Sequence, residues 1–287
     1  MNIDLSLSHR GDEPEKSVLY IVGTPIGNFN DISSRALNIL KNVSLIACED
    51  TRQTKKFMNK FEIKNKLISF NKNNGFEKIS GIINDLKIGK SIALVSDAGM
   101  PGICDPGEEL VKSARLNKFD VICIPGACAV TTALVASGMP SSSFVFNGFL
   151  PKKKKNREQV LIEITKQEKT TVLFESPHRL KKLLNELKDY CGGEREIQVF
   201  RELTKKYEEQ IGNNVSMVIN FFEAKEVIGE ITVVIKGINK NKKFLFNESQ
   251  IRSEIKELIS AGLTHSAASK YLAKKKNLNK RQIYNLY

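Results

Sequence analysis

Three glycine-bearing turns in the first half of the chain carry residue types that suit a small-molecule site. They are Gly23–Asn28, Asp97–Gly107 and Pro125–Ala129, and each follows a short apolar run. Glycine lets a backbone approach a ligand closely, the Asp97 carboxylate can accept hydrogen bonds, and the first N–H groups of a helix lack partners within it. One such turn is more often a plain connection, but three of them after strands indicate a bound small molecule. The first turn matches neither GxGxxG nor GxxxxGKS/T, so dinucleotides and P-loop nucleotides gain little support.

Charged motifs follow several of the predicted strands and could serve proton transfer or an anionic substrate. They are Glu49–Arg52, His178–Arg179 and Arg201–Glu202. Each also has a structural interpretation, as a helix-capping ion pair for the first motif and a salt bridge for an isolated Arg-Glu pair. Lys152–Lys155 and Arg157 form a basic loop that is either solvated or a contact surface for RNA phosphates.

The elements that must position these residues alternate as in an α/β fold. From Val18 to Gly237, short β-rich runs alternate with helical patterns, which indicates βα units around a largely parallel sheet. The runs predicted as strands are Val18–Val22, Leu45–Cys48, Ile92–Ser96, Val121–Ile124, Phe144–Phe149, Thr171–Phe174, Ile197–Arg201 and Ile231–Ile235. The segments with helical character are Asp31–Ile46, Val111–Leu116, Ala127–Ser137 and Leu180–Tyr190. Asn30 or Asp31 is available to cap the first of them.

Breaks in this pattern predict four segments. Residues 1–16 read as a flexible leader, 17–140 as a first α/β domain, 141–237 as a second α/β domain, and 238–287 as a basic helical tail. Gly138, Pro140 and a run of serines mark the middle boundary. In the tail, helical patterns at Glu248–Ile259, Thr264–Lys274 and Lys280–Leu286 suggest a module like a helix-turn-helix.

Composition bounds the class of protein. Hydrophobic residues make up 41% and charged residues 27% of the 287, as in soluble globular proteins. The longest apolar runs fall short of the roughly 20 residues that span a bilayer, so no membrane segment is expected. Five cysteines without a CxxC pair and three histidines disfavour a disulfide framework or zinc site. We therefore expect no metal and a reducing, cytoplasmic location.

The positive charge is concentrated at the end of the chain. The net charge is +13, and the last 52 residues hold 12 Lys and Arg against 3 Glu, or +9 of it. Such a segment is either a solvated lysine-rich tail or an appendage that binds a polyanion, because clustered cations release counterions from phosphate backbones.

Several motifs, in order along residues 18–237, resemble the ribosomal RNA small subunit methyltransferase I family. They are Leu19–Asn28, Cys48–Arg52, Val95–Pro101, Asp105–Gly107, Gly148–Pro151, Phe174–Arg179, Arg201–Lys205 and Gly229–Glu230. The resemblance implies a two-domain tetrapyrrole-methylase fold with parallel and mixed sheets, usually as a homodimer. It also implies S-adenosylmethionine in a cleft between the domains. The implied reaction is methylation of the ribose 2′-hydroxyl of a cytidine in the decoding region of small-subunit (16S) rRNA.

The resemblance also assigns roles to individual residues. Expected at the cofactor are Pro25, Asp97, Ala98, Gly99, Met100, Ile103, Cys128, Ala129, Glu175 and Glu230. Expected at the reacting groups are Glu49, Asp50, Arg52, Glu175, Arg201 and Glu202. Expected to contact RNA are Lys152, Lys153, Lys154, Lys155, Arg157, Arg179 and Lys205. Met100 stands where relatives commonly have threonine, which puts a side-chain contact there in question but not a backbone one.

Two alternative functions remain open at this point. One is a methyltransferase that acts on a tetrapyrrole precursor or other small molecule, which would leave the basic tail without a purpose. The other is a DNA-binding regulator in which the tail binds DNA and the α/β part senses a ligand. Duplex DNA binding with sequence preference, without methyl transfer, would favour the regulator.

Overall fold

The computed structural model describes residues 13–72, 74–238, 248–276, 283–284 and 286–287. The chain divides into two compact units, Met1–Gly237 and Ile238–Tyr287. Among the described residues, no helix has both the length and the apolar character needed to cross a membrane.

The first unit begins with a five-stranded parallel sheet in the order β3-β2-β4-β1-β5. Its strands are β1 (Val18–Val22), β2 (Leu45–Cys48), β3 (Leu67–Ser69), β4 (Ile92–Val95) and β5 (Asp120–Ile124). Every residue of β1, β2 and β4 is buried. Strands covered on both faces read as continuous apolar runs, which is why these strands were visible in the sequence.

Helices cover both faces of this sheet. They are α1 (Ser34–Asn42), α2 (Thr51–Lys60), α3 (Gly75–Lys87) and α4 (Glu108–Leu116). A further helix, α5 (Ala129–Ala136), follows β5. Alternate residues of β1 enter two different cores: Tyr20 packs with Ile39 of α1, and Leu19 packs with Ile82 of α3. Successive side chains of a strand point to opposite faces, so β1 is buried on both sides.

The prediction of one helix over Asp31–Ile46 was wrong at both ends. Phe29–Asp31 is a short 3-10 turn, and α1 starts later because the Ser33 hydroxyl accepts a hydrogen bond from the N–H of Ala36 at 3.1 Å. The helix ends at Asn42 because the chain then enters β2. The predicted flexible leader, residues 1–16, is described from Glu13 onward. This part contacts the first sheet's helices, since the Glu13 carboxylate pairs with the guanidinium of Arg35 in α1 at 2.7 Å.

A second sheet of mixed direction completes this unit, in the order β6-β7-β10-β8-β9. Its strands are β6 (Phe144–Phe149), β7 (Thr170–Glu175), β8 (Glu196–Arg201), β9 (Glu209–Asn214) and β10 (Ile231–Ile235). Only β6 and β7 pair in parallel; the other neighbours are antiparallel. One face is covered by α6 (Lys154–Lys166), α7 (Pro177–Cys191) and α8 (Val215–Glu223). The predicted α/β class with parallel and mixed sheets is confirmed.

The other face of the second sheet packs against the first half of the unit. Val130 and Ala133 of α5 share an apolar cluster with Val172, Phe200 and Val234 from three strands of that sheet. The helix that follows the third glycine turn is thus the element that joins the two sheets.

The second unit contains α9 (Glu248–Ser260) and α10 (His265–Lys276). Ile255 and Leu272 pack in its small core, and Thr264 caps α10 by accepting a hydrogen bond from the N–H of Ala267 at 3.2 Å. The imidazole of His265 stacks on the ring of Tyr284, with centroids 4.1 Å apart. Most of the third predicted tail helix, Lys280–Leu286, lies outside the described residues.

Candidate functional site

The three glycine turns lie side by side at the carboxyl ends of neighbouring strands in the first sheet. They follow β1, β4 and β5, which are neighbours in the sheet and run parallel, so their carboxyl ends coincide. Thr24 and Gly99 exchange two backbone hydrogen bonds of 2.9 and 3.1 Å between the first and second turns. A Cβ atom added to Gly23 would lie 2.8 Å from the nitrogen of Gly126 in the third turn. The turns therefore form one continuous backbone surface.

A cavity of about 480 Å³ opens at this edge, between the two sheets. Nine of the ten residues expected at the cofactor line it: Asp97, Ala98, Gly99, Met100, Ile103, Cys128, Ala129, Glu175 and Glu230. Pro25 is the exception, and its neighbour Ile26 lines the cavity instead. The wall also contains residues to which the sequence assigned no role at the cofactor, among them Asp105, Phe149, Phe174 and Thr232.

Three carboxylates form an acidic wall, defined as Glu49, Asp97 and Asp105. Burial raises the pKa of all three, and each is raised further by the charge of at least one neighbouring carboxylate. The Lys72 ammonium, which donates a hydrogen bond of 2.8 Å to the carbonyl oxygen of Cys104, opposes the pKa increase of Glu49 and Asp105. Such a wall favours a positively charged ligand.

Asp50 and Arg52, next to this wall, form the helix-capping ion pair. Asp50 is the N-cap of α2 and accepts a hydrogen bond from the N–H of Arg52 at 2.8 Å, while the guanidinium of Arg52 lies 2.7 Å from its carboxylate. Hydrogen bonds from the side chain and then the backbone of Arg52 lower the pKa of Asp50 to about 2. A carboxylate with so low a pKa is a poor proton acceptor.

Glu175 lies at the end of β7, where its carboxylate is shared by two arginines. Arg157 approaches it at 3.3 Å and Arg179 at 2.7 Å, and the N–H of Ser176 donates a further hydrogen bond of 2.9 Å. Arg157 also pairs with Glu186 at 2.7 Å, and only 6% of its side chain is exposed. The prediction that Arg157 contacts RNA is therefore wrong, because its guanidinium is committed to a buried ion-pair network.

Lys205 connects the far side of the cavity to the first glycine turn. Its ammonium lies 2.8 Å from the carboxylate of Glu202 and 2.9 Å from that of Glu230. Burial raises the pKa of Glu202, but hydrogen bonds from Lys205 and from the N–H of Glu230 outweigh it, so the pKa lies below its usual range. Gly27 fits here because a Cβ atom would collide with the Lys205 side chain.

The guanidinium of Arg201 makes structural contacts, and its role at the reacting groups stays a prediction. Its guanidinium pairs with Glu209 at 2.8 Å across β8 and β9 and donates to the carbonyl oxygens of Tyr207 and Ile228. It therefore holds β9 and the segment before β10 in place.

The basic run Lys152–Lys155 lies on the surface, and all four residues are exposed. The predicted loop is partly helical, because α6 begins at Lys154, whose ammonium lies 3.9 Å from Glu158. The basic run begins three residues after Phe149. Phe149 lines the cavity and is 56% exposed.

Comparison with known proteins identifies the family. Residues 18–217 match the family Tetrapyrrole (Corrin/Porphyrin) Methylases. Over 94% of its length, the chain is 42% identical to the ribosomal RNA small subunit methyltransferase I of Synechocystis sp. and covers 96% of that protein. The protein of the same name from Bacillus subtilis is also 42% identical, with 95% and 94% covered. The chain belongs to the ribosomal RNA small subunit methyltransferase I family.

Solved structures agree with this membership at the level of fold. Uroporphyrin-III-C-methyltransferase from Thermus thermophilus superposes with a TM-score of 0.53 at 17% identity, over 77% of this chain and 94% of that one. A cobalt precorrin-4 methyltransferase gives a TM-score of 0.59 at 16% identity, over 77% and 95%. As a member of the small subunit methyltransferase I family, the chain is a methyltransferase, and the cavity lies between its two sheets.

Proposed function

We propose that the chain transfers a methyl group from S-adenosylmethionine to the ribose 2′-hydroxyl of a cytidine in the decoding region of small-subunit rRNA. The observation that carries this proposal is the cavity at the three glycine turns, nine of whose lining residues are those expected at the cofactor. The names of the close relatives support small-subunit rRNA as the substrate. The finer assignment, to the 2′-hydroxyl of one cytidine, rests on the motif resemblance.

The residues that line the cavity fit S-adenosylmethionine. Gly99 has a φ of +78°, a backbone conformation open to glycine, and lies beside Met100 at the base of the cavity. Cys128 and Ala129, at the start of α5, are small enough to let a ligand approach that helix. The acidic wall complements the positive sulfonium. When bound, S-adenosylmethionine supplies a methyl group that is already activated for attack by oxygen.

Among the four carboxylates expected to handle the proton, Glu49 has the most suitable surroundings. It lines the cavity, and burial raises its pKa. The pKa values of Asp50 and Glu202 are lowered, and the carboxylate of Glu175 is shared by two arginines. We assign to Glu49 the acceptance of the 2′-hydroxyl proton, because a base with a higher pKa takes a proton more readily.

The exposed cations near the cavity are the proposed RNA contacts. They are the basic run Lys152–Lys155 and Arg52, 86% of whose side chain is exposed. Phosphate contacts of this kind orient an RNA without reading its sequence. Arg179 and Lys205 instead balance the carboxylates of the cavity wall. The proposal includes the homodimer implied by the resemblance, which light scattering of the purified protein tests.

Tritiated methyl transfer from S-adenosylmethionine tests the function directly. Unmethylated small subunits, naked rRNA and tetrapyrrole precursors are offered in parallel, and label is expected only in rRNA. Alkali then distinguishes ribose from base, because it cleaves RNA through the 2′-hydroxyl. A methylated 2′-oxygen leaves one alkali-resistant dinucleotide that holds the label. Release of the label as a mononucleotide with a methylated base would contradict the ribose assignment, and label in the tetrapyrrole alone would contradict the RNA substrate.

A further inference from the structure

Phe149 is an aromatic side chain that the cavity leaves exposed. It is the last residue of β6, lines the cavity, and has 56% of its surface open to solvent. Its ring centroid lies 5.6 Å from that of Phe174, which lies 5.1 Å from that of Phe146. The three rings form a continuous row whose outer member is accessible. An exposed aromatic ring in a ligand cavity is a ready surface for a second ring.

A β-bulge sets the direction of Phe149. Phe146 pairs with Val172 and Phe149 pairs with Phe174, so three residues advance on β6 for two on β7. Without the extra residue, strict alternation would send Phe149 to the opposite face, away from Phe146. Bulges commonly re-aim a side chain next to an active site.

Gly148 makes this bulge possible. Its φ is +57°, which glycine adopts without strain, and a Cβ atom there would lie 3.1 Å from the Cys104 sulfur. Cys104 belongs to the second glycine turn, which lines the same cavity. The backbone that aims Phe149 is thus packed directly against the wall expected to hold the cofactor.

We propose that Phe149 is the platform on which the base of the target nucleotide stacks, while the basic run Lys152–Lys155 holds the flanking phosphates. An aromatic ring beside clustered cations is the combination that binds single-stranded nucleic acid. The inference rests on the proposed function, because it takes the substrate to be RNA. The adenine of S-adenosylmethionine is also a nucleobase, so the test must separate the two.

The chain contains no tryptophan, so Phe149→Trp introduces a single tryptophan, whose fluorescence can be excited apart from that of the six tyrosines. We expect a single-stranded RNA of decoding-region sequence to quench it, and S-adenosylhomocysteine alone to leave it unchanged. Phe76→Trp is the matched control, because Phe76 is 85% exposed on α3 and is not among the residues that line the cavity. Its emission should stay constant with either ligand. Quenching by S-adenosylhomocysteine alone, or RNA bound without quenching, would overturn the proposal.

Kinetics provide a second readout in the enzyme without a fluorophore. Phe149→Ala should raise KM for small subunits by roughly 5- to 150-fold, the loss of one stacked base. Phe149→Tyr, which keeps the ring, should keep KM near the wild-type value. The Kd for S-adenosylmethionine should be the same in all three proteins. Equal KM for the alanine and tyrosine variants would overturn the proposal. A wild-type enzyme that methylates no RNA would refute the proposed function instead, and the fluorescence titration would still decide whether Phe149 stacks on a base.

Discussion

Gly126 lies against Gly23, backbone to backbone, where the third glycine turn crosses the first. A Cβ atom added to Gly126 would lie 2.7 Å from the Cα atom of Gly23. The nearest atoms all belong to the backbone of Gly23, which cannot move aside as a flexible side chain can. We predict that Gly126→Ala lowers the free energy of unfolding by about 1–3 kcal/mol, as overpacking does elsewhere, and weakens cofactor binding. Chemical denaturation and calorimetry measure the two effects.

Gly81→Ala is the matched control for this substitution. Gly81 lies within α3, and a Cβ atom there would meet nothing within 4 Å. Alanine should stabilise the helix by roughly 0.5–1 kcal/mol. If Gly126→Ala were as stable as wild type and bound cofactor normally, the close packing of the turns would have no importance for the site.

Asp97 is predicted to contact the cofactor. Asp97→Ala should weaken S-adenosylmethionine binding by on the order of 1–3 kcal/mol, because a polar ligand group loses its acceptor. The carboxylate also accepts a hydrogen bond of 3.1 Å from the N–H of Asp50, so circular dichroism must show that the variant is folded. Asp120→Ala is the control. Asp120 is exposed and lies at the amino end of β5, whereas Asp97 follows the carboxyl end of β4 in the same sheet. Calorimetry that gives equal affinities for Asp97→Ala and wild type would remove Asp97 from the site.

Glu49 is predicted to make the reaction dependent on pH. Burial, with the charges of Asp105 and Asp97, raises the pKa of Glu49, and a base must be ionised to accept a proton. We expect kcat to fall as the pH drops through this raised pKa, above the ordinary value of about 4.3. Glu49→Gln should lower kcat by about 10²- to 10⁴-fold and abolish the fall of kcat at low pH. Glu62→Gln, at an exposed position after α2, should change neither kcat nor its dependence on pH.

The same residue gives an independent stability test. A carboxylic acid whose folded pKa is raised binds its proton more tightly in the folded chain, so its ionised form destabilises that chain. Glu49→Gln should therefore raise the free energy of unfolding at pH 7, and the gain should vanish below the unfolded pKa. If kcat of Glu49→Gln still fell at low pH as in the wild type, the base would be another group.

Arg157 and Lys155 are predicted to behave oppositely although both belong to one basic stretch. Arg157→Ala should cost about 3–5 kcal/mol of stability, since it leaves Glu175 buried with one cation fewer. Lys155→Ala, at an exposed position, should stay within about 0.5 kcal/mol yet reduce the salt dependence of RNA binding. Denaturant titration and binding at several salt concentrations test the pair. Equal stabilities would contradict the buried network.

The basic tail is predicted to add RNA affinity without building the cavity. It carries +8, from 11 Lys and Arg against 3 Glu between Ile238 and Tyr287, and the cavity lies wholly within the other unit. Deleting residues 240–287 should flatten the dependence of RNA binding on salt while cofactor affinity persists. An unchanged salt slope would assign the tail another role.

The sequence predicted eight of the ten strands that the described residues form, and it missed β3 and β9. The apolar strands and the glycine turns after β1, β4 and β5 were readable because burial and backbone conformation restrict residue types there. Strand β9, with the sequence EQIGNN, was missed because it has one buried apolar residue and pairs along only one edge. Arg157 was misplaced for a different reason: a buried arginine and an exposed one look alike until a buried partner such as Glu175 is located.

The face on which Phe149 lies could not be predicted from alternation either, because a bulge between Phe146 and Phe149 reverses it. Pairwise geometry of this kind depends on both strands, whereas a sequence pattern reports one strand at a time. The acidic wall has the same origin, since Glu49 follows β2 whereas Asp97 and Asp105 lie in the turn after β4, and the two loops meet only where these neighbouring strands end.

The apolar cluster shared by α5 and the second sheet has a thermodynamic consequence. Val130 and Phe200 lie in one core, so parting the two sheets would expose that core to water. Residues up to Gly237 should therefore melt in a single cooperative transition instead of sheet by sheet. A ligand held between the sheets adds its binding free energy to that one transition. The melting temperature thus becomes a gauge of cavity occupancy, by which nucleoside ligands can be ranked without any RNA substrate.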